Sequence, residues 1–143
     1  MQLNKFTDYG LRILMYVARP QDTPYTIAQI AEDLQVSQNH LVKIVHFMAK
    51  QQWIITSRGK GGGIRLSPTI FNQPLGEIVR ILQGNVSIVE CNEPPCVLRD
   101  HCGLKGILDQ AMQQFYQHLN RYTLGDISAR PQHISSEISF LAL

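Results

Sequence analysis

The sequence predicts a mainly α-helical fold that contains one small β-hairpin. Apolar residues recur at spacings of three and four over most of the 143-residue chain, which is the pattern of amphipathic helices. The exception is residues 53–66, where two short runs with strand composition flank a glycine-rich segment. With 44% hydrophobic and 17% charged residues, and no internal repeat or low-complexity tract, the chain can bury one globular core.

The first predicted helix covers residues 6–20, FTDYGLRILMYVARP. Its apolar stripe consists of Leu11, Leu14, Met15 and Ala18, and Pro20 ends it. Asp8 lies in the first turn, where a carboxylate stabilises a helix by about 0.3–1 kcal/mol. A structural role at the helix N-terminus is therefore sufficient to explain Asp8.

Two further helices follow, joined by a tight turn at residues 35–36. Thr26 and Gln29 have the spacing of a capping box that opens the first of them, and Ser37 is a good N-cap for the second. The buried side of the second helix is predicted to consist of Leu41, Ile44, Val45 and Met48. Two short helices joined in this way are typical of a helix-turn-helix.

The second of these helices presents polar side chains near its N-terminal end. These side chains hydrogen-bond to base edges or phosphates in DNA-binding proteins, and they are Ser37, Gln38, Asn39, His40 and Lys43. Similar helix pairs are common in all-α proteins with no nucleic-acid partner. The pair alone therefore leaves a DNA-binding role and a purely structural role equally open.

The predicted hairpin favours DNA binding. Residues 53–57 and 64–66 have strand composition, and the basic, glycine-rich sequence RGKGGG at 58–63 lies between them. Arg58, Lys60 and Arg65 can reach phosphates or the minor groove. A helix pair followed by such a hairpin is the order of a winged helix-turn-helix. The glycines lack the spacing and the following helix of a nucleotide-binding loop.

The charge distribution agrees with a DNA-binding N-terminal half. The formal net charge is only +2, but residues 1–66 carry +4 and residues 67–143 carry −2. A negatively charged partner would therefore meet the N-terminal half. No nucleophile–base pattern and no suitably spaced pair of carboxylates is present, so we do not expect an enzyme.

The C-terminal half begins with a short helix at 74–82, opened by Pro74 and ended by Gly84. The longest periodic segment follows at 104–122, a helix of about 28 Å at 1.5 Å per residue. Its apolar stripe either completes the core of one chain or forms a dimer interface. We expect a homodimer, since a two-fold dimer suits an inverted-repeat operator. Thr123 is expected to cap a last short turn, before a loosely held tail at 130–143.

These elements predict three parts of the chain. Residues 1–83 form a winged helix-turn-helix DNA-binding domain, residues 84–103 form a cysteine-rich loop, and residues 104–143 form a dimerisation helix and a tail. All three cysteines, Cys91, Cys96 and Cys102, lie in CNEPPCVLRDHC at 91–102. An odd number of cysteines leaves one outside any set of disulfides. The sequence shows no signal peptide and no membrane-spanning run, so we expect a cytoplasmic protein with reduced thiols.

The cysteine pattern therefore predicts a metal-binding or redox-active loop. Three thiolates need a fourth ligand or leave a metal position open. His101 adjoins Cys102, and neighbouring residues rarely both reach one ion, which weighs against zinc. In an iron–sulfur cluster each iron takes a separate thiolate, so wider spacing is tolerated.

Four segments together resemble the winged-helix iron–sulfur transcriptional repressors. They are FTDYGLR at 6–12, SQNHLVKI at 37–44, RGKGGGIRL at 58–66 and the three-cysteine loop, and the resemblance extends to about residue 126. Within that family, the cysteine spacing, the segment at 37–44 and YTLGDI at 122–127 most resemble the nitric-oxide-sensitive members.

The resemblance implies a homodimeric repressor with an iron–sulfur cluster, 4Fe-4S rather than 2Fe-2S, held by the three cysteines. One branch of the family supplies a histidine three residues after the last cysteine, where this chain has Lys105. In the nitric-oxide-sensitive members, the ligand is the aspartate at the start of the first helix of the other subunit, and Asp8 matches it. The implied function is release of double-stranded DNA when nitric oxide nitrosylates the cluster.

Other signals stay open at the level of sequence. The loop is also compatible with sensing of iron supply or redox state, through a cluster or through disulfide formation between thiols. A small zinc-binding or electron-transfer protein with an incidental helix pair is a third alternative. The basic hairpin argues against it, because an electron carrier has no need of that surface.

Overall fold

The computed structural model describes residues 2–84 and 86–129, and confirms a mainly helical fold with one two-stranded hairpin. In the described parts of the chain, no helix combines the length and the hydropathy needed to cross a membrane. The predicted tail at 130–143 lies outside the described residues. Short 3-10 turns occupy Pro68–Asn72 and Arg99–His101, and the main elements are α1 (Lys5–Val17), α2 (Ile27–Leu34), α3 (Gln38–Lys50), β1 (Ile54–Ser57), β2 (Gly63–Leu66), α4 (Leu75–Gln83), α5 (Leu104–Leu119) and α6 (Leu124–Ala129).

Helix α1 differs from the prediction in its bounds and in its buried face. Asn4 caps its first turn by accepting a hydrogen bond from the Thr7 amide at 2.7 Å, and Ala18 caps its end, ahead of Pro20. Of the predicted stripe only Leu14 is buried. Helix α1 packs against α2, α3 and α4, so its contact face is wider than one stripe and is rotated from it. Its buried residues are Thr7, Gly10, Ile13, Leu14, Tyr16 and Val17.

The helix-turn-helix forms as predicted, with one local difference. Gln35 ends α2 in the left-handed conformation at φ 56°, and Ser37 caps α3. The Gln29 amide donates to Thr26 Oγ1 at 3.2 Å, but the Gln29 side chain donates to Gln21 Oε1 instead of returning to the cap. The capping box is therefore only half formed. The four residues predicted for the buried side of α3 are all buried.

The hairpin pairs β1 with β2 in antiparallel register, from Ile54 opposite Leu66 to Ser57 opposite Gly63. Tyr25, in an extended segment before α2, pairs with Ile64 of β2. The Tyr25 amide donates to the Ile64 carbonyl at 3.0 Å, and the Ile64 amide donates to the Tyr25 carbonyl at 2.7 Å. A methyl group on Gly63, whose φ is 152°, would lie 2.5 Å from the Tyr25 carbonyl oxygen. The hairpin at residues 54–66, which we call the wing, is therefore anchored to the segment that leads into α2.

One hydrophobic core unites α1 to α4, the hairpin and α6, because Leu124 of α6 is fully buried within it. Thr123 caps α6 as predicted: its Oγ1 accepts the Asp126 amide at 3.2 Å, and its own amide and hydroxyl donate to Asp126 Oδ2, each at 2.9 Å. Helix α5 packs along α4, with the Arg80 guanidinium 4.7 Å above the Tyr116 ring, and ends at Leu119, three residues earlier than predicted. The three-part division at 83 and 103 stays a prediction.

Candidate nucleic-acid interface and cysteine loop

Helix α3 presents the predicted contact residues to solvent. Gln38, Asn39, His40 and Lys43 are all exposed, while the opposite face of the helix enters the core. Ser37 is exposed as well, but its hydroxyl accepts the His40 amide at 3.4 Å as the helix cap. The N-terminal turns of α3 therefore form a polar surface whose side chains can hydrogen-bond to an external partner.

Two further exposed residues extend this surface, and sequence reasoning missed both. Val42 is 50% exposed, one helical turn after Gln38, and His46 is exposed one turn later. Helical spacing from Gln38 was the signal that would have found them. Sequence reasoning considered only the polar residues of the first turns, so the aliphatic Val42 was passed over.

The tip of the wing carries two free cations. Arg58 and Lys60 are exposed, and neither forms an ion pair within the described residues. The tip is held by its own backbone, because the Gly62 amide donates to the Gly59 carbonyl at 3.0 Å. Gly59 and Gly61 adopt φ of 90° and 80°, in the left-handed region that favours glycine. The tip can therefore approach a phosphate backbone closely.

Arg65 is placed differently from the other two cations of the wing. Its Nη2 donates to the Asp22 carbonyl at 2.8 Å, which joins β2 to the loop before α2. The residue therefore has a structural contact within the chain. Its predicted role at DNA stays a prediction, because the remaining guanidinium donors are on an exposed side chain.

The cysteine loop is organised by backbone hydrogen bonds around its first two thiols. Cys91, Cys96 and Cys102 are all free and half-buried. The Cys96 amide donates to the Cys91 carbonyl at 3.0 Å. Glu90 Oε1 accepts the amides of Asn92 at 2.7 Å and Glu93 at 3.3 Å, and these bonds lower the pKa of Glu90. The backbone around Cys91 is thus held by hydrogen bonds within the loop.

The donor set fits an iron–sulfur cluster in its chemistry. Within the described ranges, no three His, Cys, Asp or Glu side chains converge on the position of one metal ion. A cluster asks for something else: separate thiolates, one for each of several irons. Three free thiols on one loop would supply that, with a fourth ligand from elsewhere or one position left open.

Asp8 is positioned at the start of α1, as predicted, and already has a partner. Arg12 Nε donates to Asp8 Oδ1 at 2.9 Å, and this hydrogen bond raises the pKa of Arg12. The Asp8 side chain is 42% exposed, so it is accessible from outside the chain. Because the predicted ligation crosses between subunits, it stays a prediction for the single chain.

The neighbourhood of the loop is unusually apolar at its surface. Val97 is 97% exposed, and Ile107 of α5 is 65% exposed. Other large apolar side chains that are more than half exposed in this region are Val86, Leu98 and Leu104. Exposed aliphatic side chains that form one patch are typical of interaction surfaces.

Comparison with known proteins agrees with this arrangement. Residues 3–130 match the family model described as "Rrf2: Iron-dependent Transcriptional regulator". The chain is 38% identical over 139 residues to the HTH-type transcriptional regulator NsrR of Bacillus subtilis, covering 94% of each protein. It is 35% identical over 144 residues to the regulator of the same name from Shouchella clausii, covering 98% of this chain and 97% of that protein.

Solved structures show the same fold. CymR, the global cysteine regulator of B. subtilis, superposes with a TM-score of 0.72 at 24% identity, over 92% of this chain and 99% of that chain. IscR of T. potens gives a TM-score of 0.73 at 18% identity, over 94% of this chain and 90% of that chain. At these identities the likeness establishes the winged-helix architecture with its long C-terminal helix.

Proposed function

The chain belongs to the Rrf2 family of iron-dependent transcriptional regulators, within which we propose that it acts as a cytoplasmic repressor sensing nitric oxide through an iron–sulfur cluster. Like these relatives, it is a transcriptional regulator and not an enzyme. The observation that carries the proposal is the set of three free thiols on one loop between the DNA-binding unit and α5. The resemblance to NsrR, described above, supports nitric oxide as the signal.

DNA recognition is assigned to α3 and the wing. Regulators of this family bind DNA and are typically dimers. Gln38, Asn39 and Lys43 would contact base edges or adjacent phosphates in the major groove, while Arg58 and Lys60 would contact the backbone beside it. A two-fold dimer would place two copies of α3 on the two halves of an inverted repeat.

Signal reception is assigned to the cysteine loop. Cys91, Cys96 and Cys102 would hold the cluster, and Asp8 of the other subunit would complete the ligand set. When bound, the cluster supplies iron that reacts with nitric oxide, most readily where the ligand is a weakly bound carboxylate rather than a thiolate. Asp8, once released, would return to Arg12, whose Nε lies 2.9 Å from its carboxylate. The subunits would lose one link, and the loop could then relax.

The experiment is an anaerobic titration with nitric oxide that follows visible absorbance and operator release together. Cys96→Ala should fail to assemble the cluster and should lose operator binding, because one of three thiolates is missing. Asp8→Ala should retain a cluster with an altered spectrum and an altered rate of reaction. Glu32→Ala, which removes an exposed carboxylate from α2, is the matched control.

Two results would overturn parts of the proposal. If the wild-type protein keeps its operator after its cluster has reacted completely, nitric oxide is not the signal. If Asp8→Ala and wild type share spectra and kinetics, Asp8 is not a ligand, and Glu93, Asp100 and His101 are the next candidates on the loop.

A second candidate function is a thiol-based redox switch without metal. It is favoured by the hydrogen bond between the Cys96 amide and the Cys91 carbonyl, which holds the backbone of the two free cysteines in one turn. A disulfide reagent would oxidise the two thiols by two successive exchanges: its own S–S bond breaks, the Cys91–Cys96 disulfide forms, and the reagent leaves as two thiols that carry the two protons. Metal-free protein that loses its operator on treatment with such a reagent, and regains it with dithiothreitol, would support this candidate.

A further inference from the structure

Three polar side chains join the N-terminal end of α1 to the C-terminal end of α4. Gln83 Oε1 accepts a hydrogen bond from Thr7 Oγ1 at 2.7 Å and one from the Asn4 amide at 3.2 Å. Asn4 Nδ2 donates in return to the Gln83 carbonyl at 3.4 Å. Thr7 is fully buried, so its hydroxyl depends on Gln83 for a partner. We call Asn4, Thr7 and Gln83 the Gln83 cluster.

The Gln83 cluster lies between the two parts of the proposed donor set. Gln83 is the last residue of α4, and after Gly84 the chain runs directly into the segment that carries Cys91. Thr7 immediately precedes Asp8, and the amides of both residues donate to Asn4, at Oδ1 and at the carbonyl respectively. One side chain therefore fastens the beginning of the cysteine loop to the turn that presents Asp8.

The contact continues from the Gln83 cluster to the recognition helix α3. Leu82, adjacent to Gln83, and Met48 of α3 both lie against Gly10 of α1. A methyl group at Gly10 would lie 2.9 Å from Leu82 Cδ2 and 3.3 Å from Met48 Cε, so the three helices meet without spare volume. A closely packed interior transmits a displacement of one helix to its neighbours.

We propose that Gln83 is a positioning residue that couples the state of the cysteine loop to the orientation of α1 and α3. The inference rests on the proposed function and deepens it. With the loop ordered, the Gln83 cluster holds the end of α4 on α1 and so holds α3 in the arrangement that binds the operator. With the loop relaxed, the hydrogen bonds of the Gln83 cluster break, and α1 and α3 are no longer held to the end of α4.

The test measures coupling rather than stability. The measured quantity is the operator affinity of protein that carries the iron–sulfur cluster, divided by the operator affinity of protein without it. Both affinities are determined anaerobically for each variant. Gln83→Ala should lower this ratio toward one, a decrease of about 5- to 150-fold if the wild-type ratio lies in the usual range of allosteric couplings. Thr7→Ser, which keeps the hydroxyl, should preserve the ratio.

Tyr16→Phe is the matched control. The Tyr16 hydroxyl donates to Asp33 at the other end of α1, so this variant also removes one hydrogen bond between helices, without touching Gln83. It should leave the ratio unchanged. Hydrogen exchange of the cluster-free protein gives a second readout: Gln83→Ala should accelerate exchange at the amides of residues 7, 8 and 96, and Tyr16→Phe should not.

The outcomes separate this inference from the proposed function. If the wild-type ratio is one, the iron–sulfur cluster does not control DNA binding and the proposed function fails. If the wild-type ratio is large and Gln83→Ala retains it, the positioning role of Gln83 is wrong while the proposed function stands. Should Gln83→Ala fail to fold, Gln83→Met decides, because it keeps the length of the side chain but removes the oxygen that accepts from Thr7 and Asn4; an unchanged ratio would again overturn the inference.

Discussion

The DNA-binding half, residues 2–83, and the cysteine-bearing half, residues 86–123, differ in how completely a single copy of the chain packs them. In the first half, apolar side chains from every main helix are fully buried, Ile13, Ile44 and Ile78 among them. In the second half, Tyr116 is the buried residue of α5, while Ile107 is 65% exposed on the same helix.

The difference indicates that the two halves acquire their structure from different sources. The first half is specified by contacts within the chain, to which α6 adds the fully buried Leu124. The second half leaves large aliphatic side chains such as Val97, Leu98 and Ile107 more than half exposed, which the proposed second copy and cofactor would be available to cover. A sensor benefits from this arrangement, because the part that must change state is the part less tightly packed inside the chain.

The largest expected effect concerns dimer formation through the apolar face of α5. Ile107→Asp would place a charge in the apolar face of α5, and we expect the protein to become monomeric. Operator affinity should then fall by about a hundredfold or more, because the two half-sites no longer bind as a linked pair. Analytical ultracentrifugation and operator titration are the measurements. Gln117→Asp, at an exposed polar position of the same helix, should remain dimeric; two dimeric variants would show that α5 is not the interface.

The next effect concerns stability. Ile78→Ala should lower the free energy of unfolding by about 2–5 kcal/mol, because it opens a cavity in the core of the first half. Leu98→Ala, at an exposed position in the second half, should stay within about 0.5 kcal/mol of wild type in the metal-free protein. Urea unfolding compares the two. Equal decreases would mean that the halves are equally packed.

A pair of glycines sharpens the same contrast. Gly10→Ala should cost about 1–3 kcal/mol, because the added methyl group meets Leu82 and Met48. Gly103→Ala should be neutral or stabilising by up to about 1 kcal/mol, since nothing lies within 4 Å of its added methyl group and its φ is −75°. Thermal unfolding of the metal-free variants checks both, and a destabilising Gly103→Ala would reveal tight packing in the second half.

The wing provides a test of how the first half uses its charge. Arg58→Ala and Lys60→Ala should weaken binding to all DNA sequences. Each should lower the slope of log affinity against log salt by about 0.9 for every phosphate that the variant no longer neutralises, counted once in each protomer. Titrations over a salt series measure the slope. Arg121→Ala, which removes an exposed cation from the second half, should leave it unchanged.

The smallest expected effect concerns Val42, half exposed on α3. We expect its methyl groups to contact the C5 methyl of a thymine, so replacing that thymine by uracil should weaken binding roughly fourfold per half-site, equivalent to about 0.8 kcal/mol for one methyl group. In Val42→Ala the same replacement should have no effect. Ile55→Ala, at an exposed aliphatic position of the wing, should keep the wild-type sensitivity. If replacing each thymine of the operator by uracil leaves the binding affinity unchanged, the contact between Val42 and a thymine methyl group is wrong.

The outcome of α1 shows why some sequence predictions were incomplete. The helix itself was predicted correctly from its periodicity, but its buried face was not. Periodicity identifies the face that is most apolar, whereas the face that is buried depends on how many neighbours a helix has. Helix α1 packs between α3 and α4, and so Thr7 and Gly10 became buried, although neither is a large apolar residue.

Elements whose cause is local can be derived from the sequence alone. The caps at Thr26, Ser37 and Thr123, the hairpin around its glycines and the position of three cysteines on one loop all follow from residues within a few positions of one another. The contacts between distant segments follow from the folded chain instead: Arg65 donates to the Asp22 carbonyl, and Gln83 accepts from Thr7, 76 residues away. Local spacing specifies backbone geometry, but a contact between distant residues exists only after the whole core has packed, which no short window of sequence describes.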